Sequence, residues 1–355
     1  MKVLIIGMGY AGNRYLKCLK NISDRYSLEV AYCDLENKGL DILYFESAFI
    51  ALSNFKPDLV IISNSDGFHF DVIKELKDFK GFVIAEKPLI SPSDSCSLTK
   101  ENLANISGFC MDLVERYSEN TFFLKNFIFT ENLRLVKCNF AWAKNRLGDY
   151  RSTTGVISEV IHPLDLINYI CYPNDKLILK KIIGLRSDFS ISGDNVTDSV
   201  SLIAELNQAK VIGYSSFVNL TRNRNIDFIF KDKDQNLIYV TLVYDNPTWD
   251  SDYLKIWKYD NDFNEVILHE NKTFSSVDEQ YKTILKLSKM VIDVLNFIKF
   301  KQIPETDFSD LNYALYLQDL LNQIDINIGE DVNYKYFKNT NLRFLFSSND
   351  LEKLG

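Results

Sequence analysis

The sequence predicts an α/β fold: an N-terminal doubly wound parallel sheet, then a C-terminal α+β domain built on an open, mostly antiparallel sheet. Three observations predict it. Short apolar runs alternate with helix-period segments at the start of the chain, and a glycine-rich turn follows the first run. Beyond residue 133 the apolar runs follow one another with hairpin-like spacing and few helices between them. The chain's 355 residues accommodate two separate cores. The expected division is 1–116, 117–338 and a peripheral tail over 339–355.

Residues 3–6 form a continuous apolar run ending at Gly7, the pattern of a strand buried on both faces. Gly7-Met8-Gly9-Tyr10-Ala11-Gly12 then fits G-x-G-x-x-G. The first glycine permits a tight turn, the second lets a pyrophosphate approach the backbone, and the third lets a helix pack closely on the strand. Leu16 and Leu19 follow at helical spacing, so a helix N-terminus would point its free N–H groups at the phosphates. A second strand over 28–33 ends at Asp34, where a carboxylate accepts hydrogen bonds from the adenosine ribose and repels a 2′-phosphate. No arginine follows closely. The motif therefore reads as a Rossmann site for NAD in preference to NADP.

The alternation continues with a helix over 48–55, a strand over 59–63, a helix over 69–77, and strands over 82–85 and 106–110. In such sheets ligands sit beyond the carboxyl ends of the strands. Two segments fall there: Asn64 and Ser65 leading to His69, and Glu86-Lys87-Pro88.

Composition narrows the partners. A net charge of -8 excludes a broad surface for nucleic acid. No apolar run approaches the ~20 residues that span a bilayer, so no membrane segment is expected. The six cysteines show no metal-ligand spacing, several lie in apolar runs, and the three histidines are scattered, so no metal is expected. Met1 and Lys2 stand directly before the first strand, which with the cysteine usage points to a reduced, cytoplasmic setting. The sequence contains no internal repeat or low-complexity tract.

Glu86-Lys87-Pro88 directly after a Rossmann strand resembles the signature of the Gfo/Idh/MocA oxidoreductases, relatives of glucose–fructose oxidoreductase and inositol dehydrogenase. Residues 57–62 followed by His69 resemble the family's fourth-strand segment, with Ser65 and Asp66 in place of its Pro and Asn. Gly155-Val-Ile-Ser-Glu-Val-Ile-His162-Pro-Leu-Asp165 resembles its second signature, a glycine start and a helix carrying a catalytic histidine. The resemblance implies that Lys87 and His162 flank the substrate carbon. Alcohol oxidation sends a hydride to the nicotinamide and a proton to a base, and either residue suits that second task. The family usually has an Asp four residues before this histidine, where Ser158 stands here. Glu159, one turn away on the same helix, either takes over that role or merely favours the helix start. Asp165 is as well suited to structure as to function. His69 is expected to shape the cofactor loop, and His269 to lie on the surface.

After a helix over 113–129, strands are expected over 133–143, 177–185, 199–206, 210–218, 226–230 and 237–243, with closing helices over 280–300 and 308–324. The resemblance implies that the bare face of this sheet makes homodimer or homotetramer contacts. Between strand and catalytic helix lie Lys144, Arg146, Asp149, Arg151, Thr153 and Thr154, and Arg222 and Arg224 occur in what reads as a sheet loop. Such cations favour a polar small-molecule substrate bearing phosphate or a linked nucleotide. The expected activity is interconversion of a secondary alcohol and ketone on a sugar, sugar derivative or cyclitol. The alternatives are a cofactor-binding sensor without chemistry, or a reductase of a non-sugar substrate.

Overall fold

The computed structural model of the chain describes residues 1–148, 151–273, 279–328 and 333–337. It divides into two compact units, the first Met1–Val114 with Ile284–Asn322 and the second Glu115–Thr283 with Gln323–Gly355.

The first unit begins with β1 (Lys2–Ile6), α1 (Tyr10–Tyr26), β2 (Glu29–Cys33), β3 (Leu43–Phe45), α2 (Ala48–Phe55), β4 (Leu59–Ile62), α3 (His69–Glu75), β5 (Phe82–Ala85), α4 (Cys96–Asn102) and β6 (Gly108–Met111). All six strands are parallel, in the order β3-β2-β1-β4-β5-β6. β4 and β5 are buried at every position, as strands covered by helices on both faces must be. Strand order reverses direction between β1 and β4, so the crevice beyond their carboxyl ends is the topological switch point. The short β3 and α4 left no distinct hydrophobic period in the sequence.

The second unit comprises α5 (Glu119–Thr130), β7 (Arg134–Asn145), α6 (Ile157–Cys171), β8 (Ile178–Ser187), β9 (Val196–Leu206), β10 (Ala209–Ser216), β11 (Val218–Lys231), β12 (Leu237–Val243), β13 (Tyr253–Tyr259) and β14 (Glu265–Lys272). Helices α7 (Leu285–Phe300) and α8 (Leu311–Asn327) follow, then β15 (Asn333–Tyr334). The nine-stranded sheet runs β14-β13-β12-β11-β7-β10-β9-β8-β15. It is antiparallel except for the β10–β7 and β15–β8 pairs. The β9–β10 hairpin turns on Asn207 and Gln208, both at positive φ, the backbone that a two-residue turn needs to match strand twist.

Two expectations of local structure differ. The helix expected over 113–129 begins only at Glu119, after a 3₁₀ turn over Val114–Tyr117. Arg222 and Arg224, expected in a loop, lie within β11, where a register shift between Val218 and Asn223 accommodates a polar stretch that does not alternate cleanly.

Residues 284–322, placed with the second domain by sequence, belong to the first unit. Phe297 of α7 and Phe308 pack edge-on against Phe82 of β5, at 5.9 and 5.6 Å between ring centroids. The Tyr26 hydroxyl of α1 donates to Asn296 at 2.7 Å. Among the described residues no helix is long and apolar enough to cross a membrane, and no group of three or more His, Cys, Asp or Glu is arranged to hold a metal ion.

Candidate active site

In the first unit the glycine turn is defined by what its residues lack. Gly7 has φ +95°, and a Cβ there would collide with the backbone of Asn64 at the end of β4. A Cβ on Gly12 would collide with the Gly7 carbonyl. Gly9 has open space around its α-carbon, as a position approached by a ligand requires. Ser63 closes the turn from beneath, its hydroxyl donating to the Gly7 carbonyl at 2.8 Å. Asp34 accepts the Met8 N–H at 2.7 Å through one oxygen, and the Lys38 ammonium stands 3.5 Å from the other. Tyr10 is exposed, with the Arg14 guanidinium over its ring. Ala11 lies beside it in the first turn of α1. An uncrowded Gly9, a helix with no acid in its first turn and a carboxylate closing β2 fit a dinucleotide.

The two segments flanking this turn are tied together by His69. Its Nδ1 lies 2.8 Å from the Pro88 carbonyl and its Nε2 3.1 Å from that of Asn64. Burial holds the imidazole below its usual range, against the opposing pull of the Pro88 carbonyl, Asp66 and the Asn64 carbonyl. Asn64 also donates to Phe68, and Ser65 precedes the short 3₁₀ turn Asp66–Phe68. Glu86 and Lys87 follow β5 directly. Glu86 hydrogen-bonds Asp112, which also accepts the Tyr15 hydroxyl at 2.6 Å. Burial, then the Asp112 charge, push the Glu86 carboxyl well above the usual range, with Lys87 opposing. Glu86, expected at the cofactor, forms a buried carboxyl pair with Asp112, a residue that no sequence motif singled out.

In the second unit, Gly155 has φ +95° and abuts the Thr197 carbonyl, which starts α6 abruptly. Residues 157–170 of this helix are all buried, so each polar side chain on it must find a partner. His162 stacks on Trp142 of β7 with centroids 5.6 Å apart, and its Nδ1 lies 2.9 Å from Glu115 Oε2. Glu159 accepts from Lys144 at 2.8 Å, from Arg224 at 3.0 Å and from the Trp142 indole at 3.2 Å. Asp165 shares the Arg116 Nε–H between its two oxygens at 3.0 and 3.1 Å and accepts a second bond from Arg116 Nη2 at 2.5 Å. Asp165 is therefore engaged in a buried ion pair.

The expected basic segment is partly assembled. Arg146 and Lys144 place their cations over the Phe217 ring at 4.6 and 5.1 Å, and Arg222 covers Trp249 at 4.7 Å. Arg151 is half-buried, its carbonyl accepting from Ser190 at 3.4 Å. Asp149 lies outside the described residues. His269, expected on the surface, is half-buried and stacks on Phe123 with centroids 3.7 Å apart.

Residues 1–105 match the Gfo/Idh/MocA family model, described as an oxidoreductase family with an NAD-binding Rossmann fold. That match falls within the N-terminal segment of the first unit, Met1–Val114. No curated protein matches the sequence. Among solved structures, UDP-N-acetylglucosamine 3-dehydrogenase GnnA from Acidithiobacillus ferrooxidans has a TM-score of 0.66 at 15% identity, with 92% of this chain and 97% of that one covered. Myo-inositol 2-dehydrogenase from Lactobacillus plantarum gives 0.65 at 11% identity, over 92% and 96% of the two chains. An NAD-binding oxidoreductase from Klebsiella pneumoniae gives 0.71 at 12% identity, over 92% and 97%. These likenesses are likenesses of fold.

Against the Gfo/Idh/MocA pattern, the departure at Ser158 has a structural explanation. The Ser158 hydroxyl donates to the Gly155 carbonyl at 2.8 Å and closes the turn that begins α6. The carboxylate beside His162 comes from Glu115, while Glu159 is turned toward Lys144, Arg224 and Trp142. Helical spacing pointed to Glu159 because only residues on the same helix are legible that way. The one sequence hint of Glu115 is an adjacent acid and base, Glu115-Arg116, heading a largely apolar segment.

The His69 clamp has a pH signature. With its imidazole held below the unfolded value of about 6.5, its contribution to stability is present above that pH and fades as pH falls. The melting temperature is expected to fall between pH 7 and pH 5, and to fall less in His69→Gln. Thermal denaturation followed by circular dichroism checks this; an equal fall in both proteins would remove His69 from the pH response.

Proposed function

We propose that the protein is an NAD(H)-dependent oxidoreductase that interconverts a secondary alcohol and a ketone on a sugar, sugar phosphate, sugar nucleotide or cyclitol. Lys87 and His162 handle the proton. The observation that carries this reading is the 2.9 Å contact between His162 Nδ1 and Glu115 on a chain whose residues 1–105 match a family described as having an NAD-binding Rossmann fold. A carboxylate on the Nδ1 side, 2.9 Å away and out of line for a hydrogen bond, leaves Nε2 as the nitrogen for a substrate hydroxyl.

The dinucleotide, when bound, supplies the hydride acceptor or donor. The N–H groups at the start of α1 bind its phosphates, and Asp34 takes the ribose hydroxyls and disfavours a 2′-phosphate. Lys87 at the end of β5 hydrogen-bonds the developing alkoxide or accepts its proton. Sugar-like substrates are supported by the names of two fold relatives, one a UDP-N-acetylglucosamine and one a myo-inositol dehydrogenase. Lys144, Arg146 and Arg222, each over an aromatic face, suit a phosphorylated or nucleotide-linked ring.

The outer face of the nine-stranded sheet is the proposed oligomer contact. Ile183, Ile203, Ile212 and Tyr214 are exposed there around a depression of about 530 Å³. A contiguous apolar face of this kind marks an association surface.

Three measurements test these readings. Lys87→Ala and His162→Ala are each expected to lower kcat about 10²–10⁴-fold on a panel of sugar nucleotides and sugar phosphates, with NADH binding by fluorescence unchanged. Undiminished turnover in both would end the assignment. Asp34→Ala is expected to lower the ratio of kcat/KM for NAD over NADP about tenfold, equivalent to ~1.4 kcal/mol; equal use of both cofactors by the unmodified protein would refute the role of Asp34. Ile212→Glu is expected to reduce the mass measured by light scattering to that of a smaller assembly, and an unchanged mass would move the interface elsewhere.

A further inference from the structure

Arg224 is buried in the second unit, at a position where sequence predicted a loop. Burial alone works to depress the guanidinium, yet Glu159, Asp245 and Glu115 together more than offset it and hold its proton more firmly than usual. One terminal nitrogen donates to Glu159 at 3.0 Å. The other pairs with Asp245 and stands 3.8 Å from Glu115. The guanidinium plane is also covered by Trp142 at 5.3 Å and Trp249 at 5.0 Å.

Two of these neighbours are the ones that hold His162. Glu115 presents Oε1 to Arg224 and Oε2 to His162 Nδ1, and Trp142 has Arg224 and the imidazole as ring neighbours. Asp245 is in turn fixed by the Asp250 N–H at 2.8 Å, and its own N–H donates to Asp252 at 2.9 Å. A lysine has one point charge, whereas the fork of an arginine can serve Glu159 and Asp245 at once and still face Glu115.

We propose that Arg224 is a positioning residue for the proton step, fixing the carboxylate that orients His162 and balancing the negative charge the imidazole faces. The proposal rests on His162 as a proton-handling residue for its use in catalysis, but the charge coupling itself does not. The charged groups on the surrounding elements include Glu115 ahead of α5, Glu159 and Asp165 on α6, Lys144 on β7, Arg222 and Arg224 on β11, and Asp245 and Asp252 between β12 and β13, with Arg116 paired to Asp165, Arg222 donating to the Asp245 carbonyl and the Tyr244 hydroxyl bonded to Thr121. Removing Arg224 takes one positive charge from beside Glu115, Glu159 and Asp245. The imidazole then gains protons more readily.

The chain has only three histidines, so the ring signals of histidine-labelled protein can be assigned with His162→Asn and His69→Gln variants. In Arg224→Gln the NMR titration midpoint of His162 is expected to rise by about one pH unit, the order of effect of one charge a few ångströms away. Arg224→Lys, which keeps the charge, holds the midpoint within about 0.3 units of the unmodified protein. Glu159→Gln, which removes one balanced charge and keeps the shape, lowers it and serves also if Arg224→Gln does not fold. An unmoved midpoint in Arg224→Gln or, where that variant does not fold, in Glu159→Gln overturns the proposal. In active protein, the acid limb of the kcat/KM profile follows the same shift. An NMR shift without any effect of His162→Ala on turnover would instead retain the coupling and overturn the catalytic role of His162.

Discussion

The first unit depends on a backbone contact that no side chain can share. The α-carbon of Gly12 lies against the Gly7 carbonyl, and that of Gly7 against Asn64. Those approaches set α1 down on the crevice between β1 and β4, at the point where the strand order changes direction. The N–H groups opening α1 are thereby aimed at one place, and with them the positive end of the helix. Ser63, Asp34 and His69 all serve this arrangement. Ser63 bonds the carbonyl of the turn, Asp34 bonds its N–H, and His69 binds the Asn64 and Pro88 carbonyls to one ring. Anion binding at such a helix start is a property of peptide geometry, and these side chains fix that geometry.

In the second unit the constraint is electrostatic. Helix α6 is buried along nearly its whole length, yet it carries Glu159, His162 and Asp165. Buried charges are costly unless paired and hydrogen-bonded. Asp165 is matched by Arg116 and Glu159 by Lys144 and Arg224, while the His162 imidazole stands 2.9 Å from Glu115. An apolar helix of the same shape would be at least as stable on this ledger of charges. What the pairs add is a single arrangement, because each fork and carboxylate accepts few geometries.

Much of this was legible, and the illegible parts share a cause. The parallel sheet followed from apolar runs separated by helix-period segments, and Gly7, Gly9, Gly12 and Asp34 from spacing alone. Lys87 and His162 were singled out by the resemblance of two short segments to family signatures. Asp112, Ser63 and Glu115 were invisible because their partners lie far along the chain: Tyr15, Gly7 and His162. Arg224 was misplaced for a related reason. A buried arginine in a strand breaks the alternation by which strands are recognised, and only its three carboxylates explain why it can be there. The return of α7 to the first unit was hidden too, since its apolar face does not state which core it covers.

Ser158 stands where the resembled motif carries an acid, and the carboxylate beside His162 comes from outside the helix. A carboxylate on the same helix as its histidine keeps its distance whenever that helix forms. Glu115 belongs to a different segment, so its contact with His162 exists only when that segment and α6 are packed together. Ring orientation in this chain is thus a consequence of tertiary structure. That dependence explains the density of fixings around Glu115. Thr121 donates to the Glu115 carbonyl at 2.7 Å, Arg116 next to it is locked onto Asp165, and Ser118 donates to Asp252 at 2.6 Å. Asp252 accepts the Asp245 N–H, and Asp245 holds Arg224. The chain of contacts closes on itself around the imidazole, and each link limits how far Glu115 can move from it.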